Sequence, residues 1–176
     1  MSVTPLPDLS LRPATSSDAK ILVDIQRSAV LKSFSQYYDQ TTISAFLSLI
    51  TTSRFALAPD QPSRLLVERD GVPVGYGAFW PTGKIDGIYV SAQHQRLGIG
   101  RRLVQAIEAK AREDRLSSIS VEATLPAIDF YASLGFTRCR EVERLLAITP
   151  LMSMRIVVME KQLSKGDIST LPATMR

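Results

Sequence analysis

The sequence predicts an α/β domain built around a mixed, mostly antiparallel sheet with flanking helices, and three observations predict it. Asp70-Gly71 sits between two apolar runs, a strong hairpin signal that requires antiparallel pairing in the first half of the chain. The stretch from Ile85 to Glu122 reads strand, glycine loop, helix, strand, and such a unit requires a parallel crossover. The full order is strand, two helices, three strands, helix, strand, helix, two strands, which is an α/β arrangement.

Each element has its own signal. Residues 1–10 read as a flexible arm, with a short strand at Leu11 to Ala14 opening a domain that runs over 11–163. Thr15, Ser16 or Ser17 can cap the first helix, with Asp18 in its first turn and Ile21, Leu22, Ile25 and Ala29 at helical spacing. A second helix is expected over Ile43 to Ile50, capped by Thr41 or Thr42. Three strands follow, at Arg64 to Arg69, Val72 to Trp80 and Ile85 to Val90, with Pro81-Thr82-Gly83 as the second turn. Leu103, Val104, Ile107 and Ala111 form the stripe of the next helix. Ile119 and Val121 alternate in a strand over Ser118 to Glu122. Pro126 suits a helix start and Gly135 a stop, so a helix is expected over Ala127 to Leu134. Two strands complete the domain near Phe136–Val142 and Met154–Lys161, and 164–176 read as a disordered polar tail.

Composition limits the class. The 176 residues suit one domain with a sizeable core, and no apolar run is long enough to span a bilayer. The N-terminus lacks a basic start and an apolar stretch, so no secretion signal is read and a cytoplasmic location is expected. Cys139 is the only cysteine, which excludes an internal disulfide, and His94 is the only histidine, which excludes a histidine-based metal cluster. The net charge of +4 is local: Arg96, Arg101, Arg102, Lys110, Arg112 and Arg115 share one segment. The aromatic residues do not interleave with these cations and no helix reads as a recognition helix, so nucleic acid is not the expected partner.

The most informative stretch is Ile88-Tyr89-Val90 followed by Gln95-Arg96-Leu97-Gly98-Ile99-Gly100-Arg101. An apolar strand runs into a glycine loop and on into an amphipathic helix. Gly98 and Gly100 let backbone approach a ligand closely, and the helix start offers unpaired N–H groups with a positive dipole end. The arginines add charge, so the place suits a phosphate or pyrophosphate. A dinucleotide fold would need a third glycine where Leu103 stands and a shorter loop after Val90, although Glu122 lies where a ribose-binding acid would. A P-loop would need Gly-Lys-Ser/Thr, which is absent. A loop with only structural duties is the remaining alternative for an isolated Gly-x-Gly.

The order and spacing of this stretch resemble the acetyl-CoA signature of the GCN5-related N-acetyltransferases (GNAT), with Ala92 where that family often has proline. A second segment, Ala127-Ile128-Asp129-Phe130-Tyr131 followed by Leu134-Gly135-Phe136, resembles the family's A-x-x-F-Y-x-x-x-G-F pattern about 30 residues on. The resemblance implies a GNAT-like fold whose fourth and fifth strands splay apart. It implies that the amides of Arg96 to Arg101 hold the pyrophosphate of CoA. It implies that Ile88, Tyr89 and Val90 pair through their backbone with the pantetheine arm, and that an N–H near Ile88 or Val90 stabilises an oxyanion. Tyr131 matches the tyrosine that stands near the cofactor sulfur. A phenol of pKa about 10 can protonate a departing thiolate whose conjugate acid lies near 8.5. The alternative is a core aromatic beside Phe130, and the motif favours the role at the sulfur.

The acceptor amine must lose a proton before it attacks. Asp86, sharing strand parity with Ile88 and Val90, and Glu122, ending the next strand, are the candidate bases. Each can equally be a solvated strand-end carboxylate, and Lys84 stands nearest to where some family members keep a glutamate. His94 is expected exposed in its loop, Cys139 packed in a strand, and Tyr37-Tyr38 either lining the acceptor pocket or in the core. The resulting expectation is an acetyl-CoA-dependent N-acetyltransferase moving an acetyl group directly to a small-molecule, peptide or protein amine in a ternary complex, without a metal. A non-catalytic acyl-CoA-binding or regulatory module on the same fold is the alternative. The family resemblance leaves a homodimer open.

Overall fold

Asp70 and Gly71 both adopt positive φ (52° and 76°), the geometry a two-residue hairpin loop demands, and so fold β2 (Ser63–Arg69) back on β3 (Val72–Phe79). The computed structural model describes residues 9–55, 61–147 and 151–163. Among these, β1 (Leu9–Pro13), β4 (Lys84–Val90), β5 (Ser118–Thr124), β6 (Thr137–Leu146) and β7 (Met152–Gln162) complete a seven-stranded sheet. Its order is β1-β2-β3-β4-β5-β7-β6, antiparallel throughout except where β4 meets β5. Four helices flank it: α1 (Ala19–Ser33), α2 (Gln40–Ser48), α3 (Ile99–Glu113) and α4 (Ile128–Ala132).

The helices divide between the two faces. Leu22, Ile25, Val30 and Phe34 of α1 and its end, with Ile43 and Ala45 of α2, bury against Leu66, Tyr76, Ala78, Met154 and Ile156. On the other face Val104, Ile107 and Ala111 of α3 pack with Ile128 and Tyr131 of α4 on Ile85, Ile119, Val121, Val157 and Met159. No helix among the described residues is long and apolar enough to cross a membrane.

Several boundaries differ from the sequence expectation. β1 starts at Leu9, so Leu9 and Ser10 belong to the sheet; the other eight residues of the expected arm, and the expected tail, lie outside the described residues. Thr15 heads a 3-10 turn, and the Asp18 carboxylate accepts the Thr15 N–H at 2.6 Å. The α2 cap is Asp39 and not Thr41 or Thr42, because its carboxylate reaches the Thr42 N–H at 2.7 Å and starts the helix three residues early. The helix expected over Ala127 to Leu134 is a 3-10 turn at Leu125–Ala127 followed by the short α4; Gly135, at φ 87°, ends it.

Two features of β4 set the site. Its parallel pairing with β5 lasts only for Lys84↔Ser120 and Ile85↔Val121, after which the strands part. Its pairing with β3 slips by one residue, since Ala78 faces Gly87 but Phe79 faces Ile85. Asp86 is the extra residue of this bulge. A period-2 reading cannot register an added residue, so the expected shared parity of Asp86 and Ile88 does not hold. Ile88 packs toward Leu103 and Ile107 under α3, whereas Asp86 acts electrostatically on Tyr76 and Tyr89 on the α1 face.

Arg12 donates to both Asp18 oxygens, at 2.8 and 2.9 Å, and these bonds hold the Asp18 carboxyl well below the usual carboxylate range. A folded-state pKa below the unfolded one, about 3.9, gives stability that is complete above the carboxylate range and lost as pH falls through it. Asp18→Asn is therefore expected to flatten the acid limb of stability between about pH 2 and 5. Superimposable acid limbs for the two proteins, measured by urea denaturation, would remove Asp18 from the acid response.

Candidate active site

The loop before α3 is bent by positive φ at Arg96 (67°) and Gly98 (78°), and Gly98 is the N-cap of the helix. The first helical bond runs from the Arg102 N–H to the Gly98 carbonyl at 3.0 Å. The amides of Ile99, Gly100 and Arg101 lie ahead of it and have no acceptor within the helix. A Cβ on Gly98 would meet nothing within 4 Å, so the space beside the cap is open. Gly100 is different: a Cβ there would lie 3.1 Å from Phe130 Cζ and 3.7 Å from Ile88 Cγ2. Its missing side chain admits the Phe130 ring, which brings the second sequence segment onto the first.

These residues border a cleft of about 370 Å³ at the point where β4 and β5 part. Ile88, Tyr89, Val90, Gln95, Arg96, Gly98, Ile99, Gly100 and Arg101 all line it. Leu97 does not, and its side chain is exposed. Sequence reasoning missed the wall supplied by Ala29, Val30, Ser33 and Phe34 at the end of α1 and the wall from Thr124 to Ser133. Ala29 was legible as part of a helical stripe, but nothing local told which helix end meets the loop. The contact that fixes it is the Ser28 hydroxyl accepting the Ala92 N–H at 3.0 Å. His94 also lines the cleft, half-buried and bonded through Nδ1 to the Ser91 hydroxyl at 2.8 Å, so it is not the exposed loop residue expected.

Hydrogen bonding along β4 follows from register. The Ser91 N–H donates to the Val74 carbonyl at 2.9 Å, so Ser91 faces β3 through its backbone. Bonding alternates in an antiparallel pair, and Tyr89, opposite Tyr76, therefore also bonds to β3. The N–H and C=O of Ile88 and the N–H of Val90 point the other way, into the gap left by β5. The Gln95 side chain donates to the Val90 carbonyl at 3.2 Å from that same side.

Tyr89 connects the two faces. Its ring lies over Gly87, where a Cβ would come within 2.4 Å of Cε2, and stands 5.2 Å from the Tyr76 ring. Gln26, buried in α1, accepts the Tyr76 hydroxyl at 2.8 Å and hydrogen-bonds Tyr89. Burial pushes the Tyr89 phenol up to about 12. Tyr131 is buried between Phe130 and Phe136, at ring distances of 5.0 and 5.3 Å, and does not border the cleft. Burial first, and then Tyr89, raise its phenol far above the ordinary value.

The two candidate bases are unlike. Asp86 is exposed on the α1 face, beside Tyr89 in its electrostatic reach. Glu122 is held on both oxygens, by Lys84 Nζ at 2.9 Å and by the Arg144 guanidinium. Neither candidate lines the cleft. Tyr38 ties the site's floor together: its hydroxyl donates to the Arg155 carbonyl at 2.8 Å and accepts the Leu125 N–H at 2.9 Å, while Tyr37 is exposed. Cys139 is exposed on β6, at a second bulge, and not packed as expected. No group of three or more His, Cys, Asp or Glu among the described residues is placed to hold a metal ion.

The model of the acetyltransferase (GNAT) family matches residues 23–136, which take in α1 from Val23 onward, the splayed strands, the glycine loop, α3 and α4. The chain belongs to the acetyltransferase (GNAT) family. Solved structures agree on the fold. A GCN5-related N-acetyltransferase from Rhodopseudomonas palustris is similar at TM-score 0.80 with 23% identity, over 93% of this chain and 99% of that one. The PaiA N-acetyltransferase from Thermoplasma acidophilum, in complex with coenzyme A, is similar at TM-score 0.65 with 15% identity, over 88% and 99%. YncA from Salmonella typhimurium, with its cofactor acetyl-CoA, is similar at TM-score 0.60 with 22% identity, over 94% and 99%.

The cleft offers free amides at the α3 start, open space beside Gly98, and the N–H and C=O of Ile88 with the N–H of Val90 along its edge, groups that suit an anionic, amide-bearing ligand. Gly98→Glu, which puts a Cβ and a carboxylate at a left-handed cap, is expected to weaken CoA binding by about 100-fold or more. Calorimetry returning the unsubstituted affinity would contradict this use of the loop.

Proposed function

We propose that this chain is an acetyl-CoA-dependent N-acetyltransferase that moves an acetyl group directly to an amine acceptor within a ternary complex. The observation that carries the reading is one cleft shared by two sets of backbone groups: the free amides of Ile99, Gly100 and Arg101, and the N–H and C=O of Ile88 with the N–H of Val90, which point into the gap. The first set is suited to a diphosphate and the second to an amide-bearing arm, so the two together align an extended CoA along the gap. When bound, acetyl-CoA supplies a thioester carbonyl activated toward amines.

The chain's own groups have distinct roles in this proposal. The Ile88 or Val90 N–H donates to the carbonyl oxygen as charge develops there. Tyr131, packed behind the cleft-lining Phe130 and in electrostatic reach of the cleft-lining Tyr89, is the donor to the departing sulfur in this proposal, and burial keeps its phenol protonated far into the alkaline range. Asp86 takes the proton of the acceptor amine, directly or through a water, because its carboxylate is exposed beside Tyr89 while both oxygens of Glu122 are engaged by cations. Glu122 then orders Lys84 and Arg144. An acyl-enzyme is not part of the scheme: Cys139 stands on β6, away from the cleft lining.

Free thiol release from acetyl-CoA across a panel of amines tests the reading, and at least one amine is expected to accelerate release well above hydrolysis. A chain that binds CoA tightly and turns over none would instead be the non-catalytic module. With the best acceptor, Tyr131→Phe is expected to lower kcat about 100-fold while CoA affinity stays within about twofold. Unchanged kcat would take Tyr131 out of the mechanism.

A further inference from the structure

A second cavity, of about 280 Å³, lies against Glu122, Arg140, Arg144 and Val158. Glu122 and Arg140 both face Val158 across β7, one from each neighbouring strand, so their side chains share the α1 face of the sheet. Two arginines border the cavity beside Glu122, and Lys84, the other cation on Glu122, is also in electrostatic reach of Asp86. Glu122 is shared by Lys84 and Arg144, and the Arg140 side chain has neither an ion pair nor a hydrogen bond among the described residues. Glu143 also borders the cavity, but alternation along β6 turns its side chain to the opposite face, where it accepts the Ser153 hydroxyl at 2.9 Å. Farther along the α1 face, Arg64 is buried with Nε and Nη1 unpartnered, its Nη2 donating to the Arg54 carbonyl at 2.9 Å.

The cavity is close to the cleft between β4 and β5. Thr124 borders that cleft, and Glu122 is two residues earlier on the same face of β5, about 7 Å along the strand. We propose that the acceptor amine also carries an anionic group, and that Arg140 and Arg144 hold that group while the amine points into the gap between β4 and β5. Arginine pairs are suited to carboxylate or phosphate, so the acceptor is expected to carry its anion on a short chain from the amine. The inference rests on the transferase reading above and narrows its acceptor.

Matched acceptors test it by calorimetry on the full chain saturated with CoA. 5-Aminopentanoate is expected to bind about tenfold tighter than pentylamine, and 3-aminopropyl phosphate tighter than 3-aminopropanol. Either advantage supports the subsite, and the larger one names its anion. Arg140→Glu is expected to abolish the advantage, whereas Arg138→Gln, on the opposite face of β6, retains it. Equal affinities within each pair, failure of all four to bind, or an advantage that survives Arg140→Glu overturns the proposal. Failure of every amine to release thiol from acetyl-CoA would sink the transferase reading while leaving this binding difference standing.

Discussion

The architecture depends on a parallel strand pair that stops almost as soon as it starts. β4 and β5 are joined at Lys84↔Ser120 and Ile85↔Val121 and nowhere beyond. Buried backbone groups need partners, and a strand that loses its neighbour in the middle of a sheet exposes donors and acceptors to whatever can pair with them. Here the gap is walled by α1, the glycine loop and α4, so it is a cleft and not a defect. Tyr89 lies folded over Gly87 beside the gap.

Holding the gap open is the work of packing on both sides. Tyr38 hydroxyl bonds to β7 and to the residue after β5 keep that wall in place from the α1 side. On the other side the Phe130 ring fills the space that Gly100 leaves free, so α4 and the start of α3 stand in fixed relation. The Gln26 amide, buried among Tyr76 and Tyr89, fixes both phenols from α1. A buried polar network is stable only when its members are satisfied, and these contacts make Tyr89 a rigid wall for the cleft.

Much of this was legible in the residues. Asp70-Gly71 announced its hairpin, the Gly98 loop announced the helix start, and the spacing of Phe130-Tyr131 from the loop was enough to suggest the family and the splay. The bulge at Asp86 was not legible, because alternation carries no mark of one added residue until the partner strand is known. Nor was the insertion of β7 between β5 and β6, since strand order is decided by long-range packing and not by local pattern. The engagement of Glu122 by Lys84 and Arg144 follows from that insertion, which brings β6 within reach of β5 across a single strand. The sequence could name two carboxylates but could not rank them.

Backbone amide exchange measured with and without coenzyme A addresses the splayed strand most directly. The amide of Tyr89, already bonded to β3, should be protected in both states, while those of Ile88 and Val90 should exchange quickly alone and become protected when coenzyme A is added. Coenzyme A that binds without slowing exchange at Ile88 and Val90 would show that the open edge of β4 is not where the donor lies.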